Sequence, residues 1–321
     1  MKKLQSRIIN SFAVSVLIFL IACNLYSQTR RKSIDTVPPV SIPEEISPLI
    51  MKTYESVDSL ILPIAYRIPP GKGPFPAVLF FHGGVGGIDP NKAGKKLDTF
   101  NGNLLNGAIQ TRFLKAGYVV AASTRRSNEK YEIRDQLYAK AIQDCARAVK
   151  VIKALPQVDS ESVCLYGGSY GGILAISTST VEKVAAVVAG EPASVEYFFM
   201  GLKPPLQKRR AIFDDMKSLL TKENKEKVRK IIDLSKVSCP VFMMHGNETS
   251  SIYKANTEFV IKELRLHNKE VINKQFENLT HGFYWGRTSK GATEEIVETI
   301  IKESNRFYQK YIRVKPKPIE L

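Results

Sequence analysis

Apolar and polar positions along the chain follow two periods in turn. Apolar runs of strand length recur at residues 75–81, 118–122, 163–166, 184–189, 239–244 and 271–276. A near-continuous run such as Phe75-Pro-Ala-Val-Leu-Phe-Phe81 suits a strand buried on both faces. Between these runs, residues 104–116, 135–155, 257–266 and 294–311 carry apolar residues at helical spacing, with Ala141, Cys145, Ala148 and Ile152 on one face of the second. Two earlier β-like runs, 52–57 and 60–68, meet at Asp58-Ser59 and predict a hairpin. An alternation this regular predicts an α/β fold, a mostly parallel central sheet flanked by helices. Residues 191–236 interrupt it after the sixth strand. They are charged, with aromatics early (Tyr197, Phe198, Phe199) and a helical pattern later. The expectation is a short helical insertion forming a partial lid over the carboxyl ends of the strands, where such folds bind ligands.

The N-terminus has a different character. A basic start, Met1 to Arg7, precedes an apolar stretch at 8–22, the order of a signal peptide. Leu20-Ile21-Ala22-Cys23 resembles a bacterial lipobox, which would make Cys23 a lipidation site. Cleavage a few residues later, near Ser27-Gln28, is the second reading, and a retained anchor the third. All three place the protein outside the cytoplasm, in the bacterial cell envelope, the periplasm or the medium. The expected organisation is a signal peptide at 1–27, a proline-rich linker at 28–49 and one catalytic domain at 50–321.

Composition narrows the partners. At 44% hydrophobic over 321 residues, the chain can bury one large core. The net charge is +16, scattered over separate clusters such as Lys208-Arg209-Arg210. No basic stripe interleaves with aromatics as a single-strand nucleic-acid platform would. The expectation is a solvated basic surface with no nucleic-acid partner. Beyond Cys23, the cysteines Cys145, Cys164 and Cys239 are too widely spaced for a disulfide framework and read as buried hydrophobes. No metal-ligand spacing is present and no cofactor is implied.

The chemistry centres on Gly167-Gly168-Ser169-Tyr170-Gly171, a G-x-S-x-G pattern between a strand and a helix-starting run. A sharp strand-to-helix turn crowds the backbone, which explains the glycines, and presents the Ser169 hydroxyl above the sheet. Serine needs a base within hydrogen-bond reach. Of the four histidines, His82 and His245 end strands and His267 lies in a polar helical stretch. His281 follows the last strand, where a base can reach across the top of the sheet. The carboxylate that orients it is expected at Glu248, which gives the chain order serine, acid, histidine. Glu191, after the preceding strand, is the alternative acid or a substrate-binding residue. For the oxyanion, backbone N–H groups are expected from Tyr170 and from the loop after His82, at Gly84, with Gly83 and Val85 as the alternatives.

These motifs together resemble an α/β-hydrolase. More narrowly, the chain is similar to the catalytic domain of prolyl-oligopeptidase-type serine peptidases and the related dienelactone-hydrolase-like enzymes. The resemblance rests on the His82-Gly83-Gly84 loop, Tyr166-Gly-Gly-Ser-Tyr-Gly-Gly172, Cys239-Pro-Val-Phe-Met-Met-His-Gly246 and Thr280-His-Gly-Phe283. It implies a serine hydrolase acting on a small ester or peptide substrate, and says nothing of oligomeric state. Two departures stand out. The family's acid usually lies four residues after the histidine of the His-Gly strand end, and that position is Thr249 here. The family's large N-terminal propeller also has no counterpart between Gln28 and Lys52. The first departure raises a second expectation, a binding protein of this fold that has lost its acid.

Overall fold

A computed structural model describes residues 36–84, 104–126, 134–194 and 221–320. Two antiparallel strands open the body, β1 (Ile50–Glu55) and β2 (Ile61–Arg67), as the Asp58-Ser59 turn predicts. There follow β3 (Phe75–Phe81), α1 (Ala108–Lys115), β4 (Val119–Ser123), α2 (Arg134–Lys153) and β5 (Val158–Gly168). Then come α3 (Tyr170–Thr178), β6 (Val187–Gly190), α4 (Lys222–Ile231), β7 (Val241–Gly246), α5 (Ser251–Leu266), β8 (Val271–Phe276) and α6 (Glu294–Tyr308). The strands form one sheet in the order β1-β2-β4-β3-β5-β6-β7-β8, parallel from β4 to β8. Strand β2 joins β4 antiparallel.

Alternate residues of the central strands feed two hydrophobic layers. Leu79 and Leu165 pack with α2, α3 and α5 on one face, whereas Phe80 and Tyr166 pack with α1 and α6 on the other. Both faces are therefore covered, which is why these strands read as unbroken apolar runs rather than alternating ones. Helix α6 starts on Thr293, whose side chain accepts the Ile296 N–H, and its first-turn carboxylates Glu294 and Glu295 complement the helix dipole. Arg112 on α1 then reaches Glu298 at 2.6 Å and also pairs with Glu294. Cys145, Cys164 and Cys239 are buried free thiols, and burial pushes those of Cys145 and Cys239 up to about 12.

Two expectations need adjustment. Residues 36–49, read as linker, lie on the body: Val37 is core, the Val40 N–H donates to Thr111 Oγ1 at 3.0 Å, and Arg67 holds the Ser47 carbonyl at 3.0 Å. A single buried valine in a proline-rich stretch is too weak a pattern to show this. Helix α5 begins at Ser251, six residues before the expected start, because Ile252, Asn256 and Phe259 already form a buried stripe. Within 191–236, α4 and a short 3₁₀ turn at Leu234–Lys236 supply the expected helical character. Residues 195–220, with the aromatics of the expected lid, lie outside the described residues, as do the leader and Cys23.

Candidate active site

The parallel register aligns strand ends. Phe81 stands opposite Gly167, Gly168 opposite Gly190, Gly190 opposite Met244, and Gly246 opposite Phe276. The segments leaving these ends carry His82 to Gly84, Ser169, Glu191, the loop after β7, and His281 to one rim of the sheet.

Ser169 occupies the turn between β5 and α3 with φ 55° and ψ −124°, in the left-handed half of backbone space where a side chain is strained. Its own N–H donates to the Gly190 carbonyl at 2.8 Å, and its carbonyl accepts from Gly172 and Ala193 at 3.0 Å each. Ser169 is thereby tied to the end of β6. Tyr170 is the first residue of α3, which places its N–H at the positive end of the helix dipole. Gly83 lies against the same turn, since a Cβ there would stand 3.4 Å from the Ser169 Cβ. Gly84 has φ +73°, and a Cβ built on it would meet nothing within 4 Å.

The His281 loop is fastened onto these strands by Tyr284. Its ring covers Gly168 and Gly190 so closely that a Cβ on Gly168 would fall 2.0 Å from Tyr284 Cε2 and one on Gly190 2.4 Å from Cγ. Only glycine admits the ring at either place. The Tyr166 hydroxyl, from β5, donates to the Tyr284 carbonyl at 2.7 Å. The Tyr284 hydroxyl in turn lies 3.1 Å from His281 Nε2 and 3.3 Å from Nδ1. Tyr253 of α5 stacks flat on the imidazole, with centroids 3.6 Å apart and planes 6° off parallel. Two aromatic rings and a carboxylate therefore fix the imidazole on three sides.

That carboxylate is Glu191. His281 Nδ1 donates to Glu191 Oε2 at 2.5 Å, and the Gly246 N–H donates to Oε1 at 2.9 Å. Glu191 is fully buried and has φ 42°, strained for a side chain with a Cβ. A carboxylate buried without solvent is stable only when paired and hydrogen-bonded, and these two donors satisfy both of its oxygens. Bonded in this way, Nδ1 carries the ring proton and a neutral His281 keeps its lone pair on Nε2.

Glu248 does not stand behind His281. It is exposed, and its backbone N–H donates to the Leu279 carbonyl at 3.0 Å. The loop after β7 turns so that Thr249 faces inward, 5% exposed, with its hydroxyl buried and unbonded. The side chain nearest the family's usual acid position is thus a buried threonine, and the adjacent glutamate points to solvent. The expectation of Glu248 at His281 is corrected to Glu191. Of the other histidines, His245 lies at the β7–β8 surface beside Asn273 and Gln275, and His267 caps α5 in solvent.

Three further residues at this site went unread in the sequence: Tyr253, Tyr284 and Arg125. Tyr284 carried the nearest thing to a signal, three residues past His281 in a Phe-Tyr-Trp run. Among the described residues, no group of three or more histidine, cysteine, aspartate or glutamate side chains could hold a metal ion.

The model of the prolyl oligopeptidase family matches residues 108–305. The chain is 27% identical over 142 residues to the acetyl esterase Axe7A of Xylanibacter ruminicola, a match spanning 43% of this chain and only 32% of that protein. Among solved structures, it is similar to the acylaminoacyl peptidase of Pyrococcus horikoshii, with TM-score 0.60, 18% identity, 92% of this chain and 45% of that one covered. It is also similar to an esterase of Pyrobaculum calidifontis, with TM-score 0.53, 17% identity and coverages of 82% and 85%. These likenesses establish the α/β-hydrolase fold.

Proposed function

The chain belongs to the prolyl oligopeptidase family, and from that premise we propose that it is a serine hydrolase that cleaves carboxylic esters of small acyl groups by acyl transfer through Ser169. The Ser169 hydroxyl attacks the carbonyl carbon. His281 Nε2 takes its proton, and the Glu191 carboxylate orients the ring and stabilises the imidazolium as it forms. The N–H groups of Tyr170 and Gly84 receive the oxyanion. The alcohol leaves with the proton from His281, and water, activated by the same base, releases the acid.

One observation carries the reading: a fully buried carboxylate 2.5 Å from the imidazole of the loop that packs on the nucleophile strand. The expectation of a binding protein without an acid rested on Thr249, and Glu191 removes its motive. An ester is the easier bond because an alkoxide leaves more readily than an amine, and the acetyl esterase relative supports that choice. Peptide or amide cleavage is the second reading, supported by family membership. Export through the leader at 1–27, with Cys23 lipidated, belongs to the same proposal.

Screening short acyl esters against aminoacyl and dipeptidyl anilides, with Ser169→Ala as the blank, tests the substrate class. Ester turnover that disappears in Ser169→Ala is expected. Anilides cleaved in preference to every ester would move the reading to peptidase.

A further inference from the structure

After β4 the chain runs Thr124-Arg125-Arg126, and the two arginines have different surroundings. Arg126 is held by acids: its guanidinium meets Asp144 at 2.8 Å and Asp58 at 2.6 Å. Arg125 turns the other way, into the site, and is 3% exposed. Its Nη1 donates to His82 Nε2 at 2.8 Å and more loosely to the His82 carbonyl at 3.3 Å. Its Nη2 donates to the Gly84 carbonyl at 2.5 Å. Its Cζ lies 4.5 Å from the centroid of the Tyr170 ring, within cation–π range.

We propose that Arg125 is a positioning residue that fixes the two oxyanion donors relative to each other, holding Gly84 through its carbonyl and Tyr170 through its ring. The inference rests on the acyl-transfer reading of Ser169. Three observations converge on it. Gly84 has left-handed backbone geometry and no side chain to pack, so its loop position depends on what binds its backbone. Tyr170 follows the nucleophile, and its ring lies between Arg125 and Tyr138, 5.9 Å away at an edge-on angle. The planar guanidinium offers several donors in a rigid fork plus a face for an aromatic ring, a combination lysine lacks.

His82 completes the brace. Because Arg125 donates to Nε2, the proton of the neutral ring is on Nδ1, which donates to the Gly83 carbonyl at 2.8 Å. Burial, and then the Arg125 charge, hold the imidazole down at about 3, so this bonding persists at neutral pH. All three residues of the loop from His82 to Gly84 are thus bound, directly or through one imidazole, to a single side chain. A displacement of about 1 Å in a preorganised donor suffices to lose much of its effect on the transition state.

The test compares the parent with Arg125→Ala and Arg125→Lys. Two quantities are read: para-nitrophenyl butyrate turnover, and inhibition by the trifluoromethyl ketone of the same acyl chain. That ketone adds to the serine as a charged tetrahedral adduct. For Arg125→Ala, kcat is expected to fall about 10²-fold, the range for one lost oxyanion donor, with KM held within about threefold. The inhibition constant should rise in parallel with the fall in kcat/KM, and Arg125→Lys should lie between the two. A merely structural role would lower the melting temperature without weakening the ketone relative to the ester. Arg125→Ala with kcat and inhibition constant both within about threefold of the parent overturns the proposal. If that variant does not melt cooperatively, Arg125→Lys decides on the same two readouts. A parent that turns over no ester and is not labelled at Ser169 removes the acyl-transfer reading and this inference with it. A working parent with indifferent Arg125 variants removes this inference alone.

Discussion

Replacing Glu191 by glutamine probes the pairing on which the chemistry depends. Both carboxylate oxygens of the parent are acceptors, one for His281 Nδ1 at 2.5 Å and one for the Gly246 N–H at 2.9 Å. The glutamine side chain has nearly the same shape but only one acceptor oxygen. Gly246 offers a backbone donor that cannot change, so the amide oxygen turns to it and the NH₂ group faces His281. Nδ1 must then accept, which moves the ring proton to Nε2 and leaves no base toward Ser169. The imidazolium also loses its counter-charge. A wrong tautomer of this kind costs a serine hydrolase about 10⁴ in kcat, or about 5 kcal/mol of barrier at 1.36 kcal/mol per tenfold. We expect a loss of about 10³–10⁴-fold in kcat for para-nitrophenyl butyrate, with a thermal midpoint no lower than the parent's, since a buried charge has been removed. Glu248→Gln, at an exposed side chain, should stay within about twofold. Retention of more than about a tenth of the parent kcat in Glu191→Gln would refute the reasoning. So would a large loss in Glu248→Gln.

Other expectations concern stability. Arg126→Ala leaves the fully buried Asp144 carboxylate without its guanidinium, and breaking such a pair costs about 3–5 kcal/mol, read as a fall in the urea midpoint. Gly190→Ala would place a Cβ 2.4 Å from Tyr284 Cγ. It should destabilise the protein by about 1–3 kcal/mol through overpacking and, by displacing the His281 loop, lower ester turnover more than about tenfold. His82, held neutral at about 3 by burial and Arg125 against an ordinary value near 6.5, makes stability depend on pH. The unfolded chain binds one more proton than the folded chain between those two values. Stability is therefore complete above about pH 6.5 and falls on acidification, by up to about 1.4 kcal/mol per pH unit. Urea unfolding between pH 6 and pH 4 should show this slope in the parent and a shallower one in His82→Gln.

What could be read from the residues alone follows the physics of each segment. The central strands were legible because burial on both faces imposes continuous apolar runs. The elbow was legible because Tyr284 and the crowded turn tolerate only glycine around Ser169. His281 was singled out as the candidate by elimination among four histidines and by its place after the last strand. The carboxylate beside His281 was read only as the alternative to Glu248. A loop of Asn247, Glu248 and Thr249 offers a carboxylate within one residue of the usual place, and nothing in the sequence tells that its side chain turns outward. Glu191 gave no local sign of burial, because its partners, Gly246 at a strand end and His281 in a loop, lie 55 and 90 residues further along. Arg125 was hidden for a similar reason. Next to Arg126 it reads as one of two surface charges, and only the fold separates a structural ion pair from a side chain turned into the site.

Labelling by a fluorophosphonate probe, followed by mass mapping of the labelled peptide, tests the central claim most directly. The modified residue is predicted to be Ser169 in the folded parent. Labelling should be slowed by orders of magnitude in His281→Ala and be absent in Ser169→Ala. A well-folded parent that takes up no label, or takes it up at another residue, would contradict the account.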